Sequence, residues 1–212
     1  MCIRDSYTAS LSTTGNTMTI TPAALTGTIA SQTKTYGTSD PALSSIAVSL
    51  GGVVTSSVTD WNGTVTAIND TGNVSATLAS LTRTAGENVA GSPYPITGGT
   101  LNALTGSAAG NYTAVLSTTG NTLTITPASL TGTIANQSKV YGTSDPALNT
   151  IAVSLGGVVN GSVTDWNGTV TALNDTGNVS ATLLSLARNA GENVAGSPYA
   201  ITGGALLSLI HI

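Results

Sequence analysis

The sequence predicts an all-β chain, and three observations predict it. The helix formers Glu, Lys, Gln and Arg are scarce, with charged residues only 7% of the 212, against about 25% in ordinary soluble domains. Thr, Val and Ile, which suit a pleated and half-buried surface, recur in short stretches of alternating apolar and polar residues. Gly and Asn punctuate those stretches as turn formers. At 40% hydrophobic residues the chain has enough apolar side chain for a core, which argues against disorder.

The stretches are laid out twice. Lys34-Thr-Tyr36-Gly37-Thr-Ser-Asp40-Pro41-Ala-Leu43 returns as Lys139-Val-Tyr141-Gly142-Thr-Ser-Asp145-Pro146-Ala-Leu148, a spacing of 105 residues between Tyr36 and Tyr141. Aligning 7–101 with 112–206 leaves 16 of 95 positions different, most of them conservatively, as in Met18 against Leu123 or Ile68 against Leu173. A period this long is not a solenoid rung. It fits one domain per repeat, strung along the chain.

Taken in order, Tyr7 to Pro22 reads as a hairpin. Tyr7, Ala9 and Leu11 alternate with polar residues, Gly15-Asn16 is a two-residue turn, and Leu11 then faces Ile20. The second copy repeats the pattern with Tyr112, Ala114, Leu116, Leu123 and Ile125. Pro22 and Pro127 stop the strand, and the domain boundary falls there. Leu25, Gly27 and Ile29 mark a first strand. Tyr36-Gly37 ends a short second one, and Asp40-Pro41 starts a turn. Ile46, Val48 and Leu50 alternate up to Gly51-Gly52. Val58 to Ile68 carries Asn62-Gly63 as a hairpin turn, and the facing pattern places Asp60 in a longer loop. Val74, Ala76 and Leu78 read as a strand rather than a short helix, given their Ser and Thr neighbours. Tyr94 and Ile96 open a last strand that Gly98-Gly99 closes.

The two ends read differently. Met1–Ser6 is what one strand of a transposase mosaic-end adapter encodes, and Leu207–Ile212 is what its reverse complement encodes. The expected layout is therefore adapter-derived residues at 1–6 and 207–212, an orphan C-terminal hairpin of a preceding repeat at 7–22, a complete repeat domain at 23–127, and a second one at 128–206 without its last hairpin. The one cysteine, Cys2, and the one histidine, His211, both fall in the adapter segments. Residues 7–206 thus hold no thiol nucleophile, disulfide, thiolate metal site or imidazole base.

The net charge is −4, with an isoelectric point near 4.5 and no basic patch, so nucleic acid is not an expected partner. No apolar run approaches the length of a membrane helix, about 18 residues, so membrane insertion of this segment is not expected.

The order Lys34-x-Tyr36-Gly37-x-x-Asp40-Pro41-x-Leu43, Arg83, Gly86-Glu87-Asn88-Val89, Tyr94-x-Ile96, Asn111-Tyr112 and Leu123-Thr-Ile125-Thr-Pro127 resembles the MBG-type repeat of the YGX variety. That repeat occurs in tandem in large bacterial surface proteins and filamentous-haemagglutinin-like adhesins. Two departures stand out: a longer, turn-rich stretch from Ile46 to Leu81, and extra residues between Val89 and Tyr94. The resemblance implies tandem antiparallel domains, Ig-like or β-grasp-like sandwiches, with a structural or adhesive role, and supplies no catalytic residues.

Three residue sets are candidate sites. Asp60, Asn62, Asn69, Asp70 and Asn73, with Asp165, Asn167, Asn174, Asp175 and Asn178, offer oxygen donors to calcium, although their spacing matches no EF-hand and such residues are ordinary turn formers. Calcium is the one cofactor they suggest. Asp40, Arg83 and Glu87 offer two carboxylates, the minimum for glycoside hydrolysis, without a nucleophile–base pair or metal motif. The alternative for them is a turn initiator, a surface ion pair and a loop acid, so no enzyme is expected. Trp61 and Trp166 are candidates for stacking on sugars, or else core anchors. The Asn-x-Ser/Thr triplets, such as Asn62-Gly-Thr64 and Asn73-Val-Ser75, read as turns.

The expected function is a non-catalytic stalk or adhesive repeat module of a large bacterial cell-surface or secreted protein. Its expected partners are neighbouring repeats of the same chain, with host or neighbouring-cell glycans or proteins as outer-surface candidates. The alternative is a carbohydrate- or ligand-binding accessory module of a large secreted protein.

Overall fold

The computed structural model describes residues 8–210, with side chains through 207. Most adapter-derived residues lie outside that range. The described residues are all-β, joined by turns and single 3-10 turns.

In the first repeat β1 (Ala23–Thr28), β2 (Gln32–Thr35), β3 (Ser49–Gly51), β4 (Thr55–Thr59), β5 (Val65–Asn69), β6 (Leu78–Arg83), β7 (Tyr94–Leu101), β8 (Tyr112–Ser117) and β9 (Thr122–Thr126) follow one another. They form a three-stranded sheet in the order β3-β1-β8, a four-stranded sheet in the order β2-β9-β7-β6, and a two-stranded β4-β5 ribbon. The apolar alternation is spent on the core. Ile29, Ile46, Leu78, Leu81 and Ile96 form one buried cluster, and Leu25, Val74, Ala108 and Tyr112 another.

Pairing is mixed rather than purely antiparallel, because β1 runs parallel to β8 and β2 parallel to β9. This corrects the expected hairpin. Residues 112–126 do turn at Thr118–Asn121, where the Asn121 amide donates to the Thr118 carbonyl. The strands on either side, however, bond to β1 and β2 in two different sheets instead of to each other. Asn121 Nδ2 donates to the Ile29 carbonyl and the Thr122 amide to Ser31 Oγ, holding the two segments together where they cross between sheets. Period-2 alternation fixes which side chains face the core but not which strand is the neighbour.

The equivalent residues 8–22 form no strand. Leu11, Met18 and Ile20 are exposed, and a single turn at Thr13–Asn16 remains. The orphan hairpin at 7–22 is therefore absent as a hairpin. Its counterpart shows why: each arm needs the first strands of a repeat beside it, and among the described residues no such strands pair with 8–22.

Gly98-Gly99 does not close the Tyr94 strand either. β7 runs on to Leu101, with a register shift opposite Arg83. A Cβ at Gly99 would lie 2.5 Å from the Ser80 carbonyl and 2.7 Å from Leu81 Cδ2, so glycine here serves close packing.

The second repeat has β10 (Thr131–Ile134) against β11 (Val153–Gly156), β12 (Asn160–Thr164) against β13 (Val170–Asn174), and β14 (Val179–Arg188) against β15 (Ile201–Ile210).

Candidate functional site

The residues that define the repeat meet where one repeat touches the next. In the first repeat, β2 presents Lys34, the turn after it presents Asp40, the end of β6 presents Arg83, and the following loop presents Glu87. Lys34 Nζ donates to Asp40 Oδ1 at 2.8 Å and to Glu87 Oε2 at 2.5 Å. Arg83 Nε donates to Asp40 Oδ2 at 2.7 Å, Arg83 Nη2 donates to Asp40 Oδ1 at 3.0 Å, and Nη2 also reaches Glu87 Oε1. The Arg83 guanidinium lies over the Tyr94 ring, 5.6 Å from its centre.

Two cations and two carboxylates balance, and all four side chains are buried, at most 8% exposed. Burial alone would raise the Asp40 carboxyl. Hydrogen bonds from Arg83, Lys34 and the Trp166 backbone outweigh it and hold the group below its ordinary range. Burial likewise opposes charge on Arg83, and its bonds to Asp40 and Glu87 more than offset that. The expected reading of Asp40, Arg83 and Glu87 as surface groups is thus corrected. They form a closed, buried network, and Lys34, which sequence reasoning left out, is its fourth member. A lysine six residues before a repeated Asp-Pro was the available signal. Each oxygen of the two carboxylates faces a cation.

Onto this network comes the tip of the β12–β13 ribbon from the second repeat. The Asp40 amide donates to the Thr164 carbonyl and the Thr164 amide to Ser39 Oγ. The Trp166 amide donates to Asp40 Oδ2 at 3.0 Å, and Trp166 Nε1 donates to the Pro41 carbonyl at 2.7 Å. Asn167 bonds both backbone groups of Arg83, accepting from its amide at 3.3 Å and donating to its carbonyl at 3.0 Å. The Trp166 ring packs on the Ile29–Ile46–Leu78–Leu81–Ile96 cluster of the first repeat.

Beside the tip, Tyr36-Gly37 meets the base of the same ribbon. A Cβ on Gly37 would lie 2.7 Å from Val159 Cγ2. Burial raises the Tyr36 hydroxyl, and the neighbouring Asp175 carboxylate adds to that. An apolar cavity of about 410 Å³ lies between these surfaces, lined by Tyr36, Val89, Leu130, Val158, Val159 and Val179 among others.

The matching residues of the other copies are uncovered. Val163 and Asp165 are buried while Val58 is 48% exposed, and Trp61 is 92% exposed. In the second repeat Lys139, Asp145, Arg188 and Glu192 keep the same pairings at 2.5–2.8 Å, yet Asp145 and Glu192 are 49% and 59% exposed.

The candidate calcium set does not come together. Asp60 and Asn62 sit at the tip of the β4–β5 ribbon, while Asn69, Asp70 and Asn73 sit at its base. Five-residue strands separate the two groups by roughly 15 Å. The same split parts Asp165 and Asn167 from Asn174, Asp175 and Asn178. Each group closes its own turn. Asp60 Oδ1 accepts from the Asn62 and Thr64 amides, and Asp165 Oδ1 accepts from the Thr169 amide. Asn73 Nδ2 donates to the Asn69 carbonyl and Asn178 Nδ2 to the Asn174 carbonyl. Asp70 accepts from the Tyr112 hydroxyl. Among the described residues no three His, Cys, Asp or Glu side chains gather to hold a metal. Of the two tryptophans, Trp166 is used in packing between repeats and Trp61 stands out on a ribbon tip.

Residues 130–209 match the family model of the MBG domain, YGX type. The match spans the second repeat. Its first copy differs at 16 of 95 aligned positions, so the same fold signature runs through both. No curated protein and no solved structure matches the chain. Among the described residues no helix is long and apolar enough to cross a membrane. In the first repeat the Tyr36-Gly37 and Asp40-Pro41 pairs form part of the surface that receives the next repeat.

Proposed function

We propose that the chain is a non-catalytic stalk module of a large cell-surface or secreted adhesin-like protein. The observation that carries this reading is the packed joint around Trp166, since hydrogen bonds and a half-buried aromatic ring turn consecutive repeats into a stiff rod. A flexible linker would leave the domains free to rotate. The family match supports a surface-protein repeat. The scarcity of Lys and Arg, five in all, suits a segment exposed to trypsin-like proteases. Adhesion to glycans or proteins belongs to whatever surfaces the stacked repeats leave outward. The ligand-binding alternative now rests on Trp61 alone, because Trp166 is engaged between repeats.

An antibody raised against residues 23–127 tests the placement. It is expected to label intact cells of the source organism, with the label removed by external protease. Labelling only after permeabilisation would overturn the reading.

A further inference from the structure

The joint has two halves, a tryptophan tip and an ionic socket, and each repeat carries both. Among the described residues only one tip meets one socket: Thr164–Asn167 of the second repeat on Ser39–Pro41 and Arg83 of the first. One tip and one socket are left over. The spare tip, Thr59-Asp60-Trp61-Asn62, has the same residues as Thr164–Asn167. It has the same turn, in which the Asp60 amide donates to the Thr64 carbonyl as the Asp165 amide does to that of Thr169. The spare socket, Ser144-Asp145-Pro146 with Arg188, is assembled without an occupant. Arg188 Nε and Nη2 hold Asp145 at 2.7 and 3.0 Å, the distances found in the filled socket.

We propose that this surface takes a second copy of the repeat, the Trp61 tip of one molecule docking in the Asp145–Pro146–Arg188 socket of another. The chemistry that recognises it is that of the filled joint. The Trp61 amide donates to a carboxylate already held by two cations, its indole N–H donates to the Pro146 carbonyl, and Asn62 caps the backbone of Arg188. Trp61, Val58 and Asp60 are covered in the contact as Trp166, Val163 and Asp165 are in theirs. A preformed socket meeting a rigid tip loses little freedom on binding. The contact is heterologous, each copy using a different face, so it propagates head to tail instead of closing a dimer. The inference rests on the geometry of the joint and not on the cell-surface reading, so either can fail alone.

Sedimentation velocity of the whole chain over a concentration series tests it. The wild type is expected to grow in mean mass with concentration. Trp61→Ala is expected to weaken this on the order of tenfold or more, the scale of an interface hot spot. Trp61 is exposed, so its loss leaves the monomer folded. Asp145→Asn is expected to be defective alone, yet to form a discrete heterodimer when mixed with Trp61→Ala, which still offers an intact socket. A wild type that stays monomeric throughout would overturn the proposal. So would association indifferent to Trp61→Ala but abolished by Ile20→Asp, which would assign self-association to the exposed segment 8–22.

Discussion

Trp166 Nε1 donates a hydrogen bond to the Pro41 carbonyl at 2.7 Å, 125 residues away in sequence. The bond satisfies the only polar atom of the ring while the rest covers the apolar end of the first repeat. Trp166→Ala should therefore lower stability by about 3 kcal/mol, the lower end of the range for removing a packed large aromatic. Trp61→Ala at the matching position should leave monomer stability within about 0.5 kcal/mol. Paired chemical denaturation curves check this, and similar effects for the two would show that Trp166 does not hold the joint.

Asp40 is the hinge between the ion network and the neighbouring repeat, since one carboxylate serves Lys34, Arg83 and the Trp166 amide. Asp40→Asn keeps the shape and removes the charge, leaving two buried cations against Glu87. Breaking a buried ion pair from one side costs about 3–5 kcal/mol. The exposed copy, Asp145→Asn, should cost far less in the monomer, because water solvates the cations it leaves behind. Equal melting-temperature losses in the two variants would contradict a difference of environment.

The two copies also show what was legible in the sequence. The first strand around Leu25 and Gly27, the longer loop holding Asp60 and the end of the second strand at Tyr36-Gly37 followed from local alternation and glycine chemistry, and are present. The parallel partnership of β8 and β9 with β1 and β2 did not follow, because alternation names a buried face and not a neighbour. The buried network was hidden for a related reason. Asp40 and Arg83 are 43 residues apart, and nothing local announces that a turn acid and a strand-end arginine meet. The joint was harder still: Trp61 and Trp166 sit in identical local sequence, and only a neighbouring repeat decides which ring is covered.

The joint should be sensitive to acid. The Asp40 carboxyl is held below its usual range in the folded protein, so the folded state binds fewer protons than the unfolded state as pH falls. The stability Asp40 contributes is fully present above its unfolded pKa, about 3.9, and is lost as pH drops through the lower folded value. Protonation also weakens the acceptor for the Trp166 amide. Tryptophan emission should red-shift below about pH 4 as Trp166 becomes wetter, and Asp40→Asn should abolish that pH dependence. An emission profile flat from neutral pH to full acid unfolding would contradict the coupling.

Gly37 and Gly142 give the sharpest separation of joint from fold. Both are left-handed, with φ of 85° and 82°, so alanine brings the same backbone strain at each, about 1–2 kcal/mol. They differ in what a Cβ would meet: Val159 at 2.7 Å for Gly37, and nothing within 4 Å for Gly142. The excess loss in Gly37→Ala over Gly142→Ala therefore measures the joint alone. It should be about 1–3 kcal/mol, the cost of overpacking a close contact. It should come with greater susceptibility to proteolysis near Pro127–Leu130, the segment linking the repeats, while Gly142→Ala leaves cleavage there unchanged. Equal destabilisation by the two substitutions would mean that Val159 gives way freely, and that Tyr36-Gly37 does not fix how one repeat seats on the next.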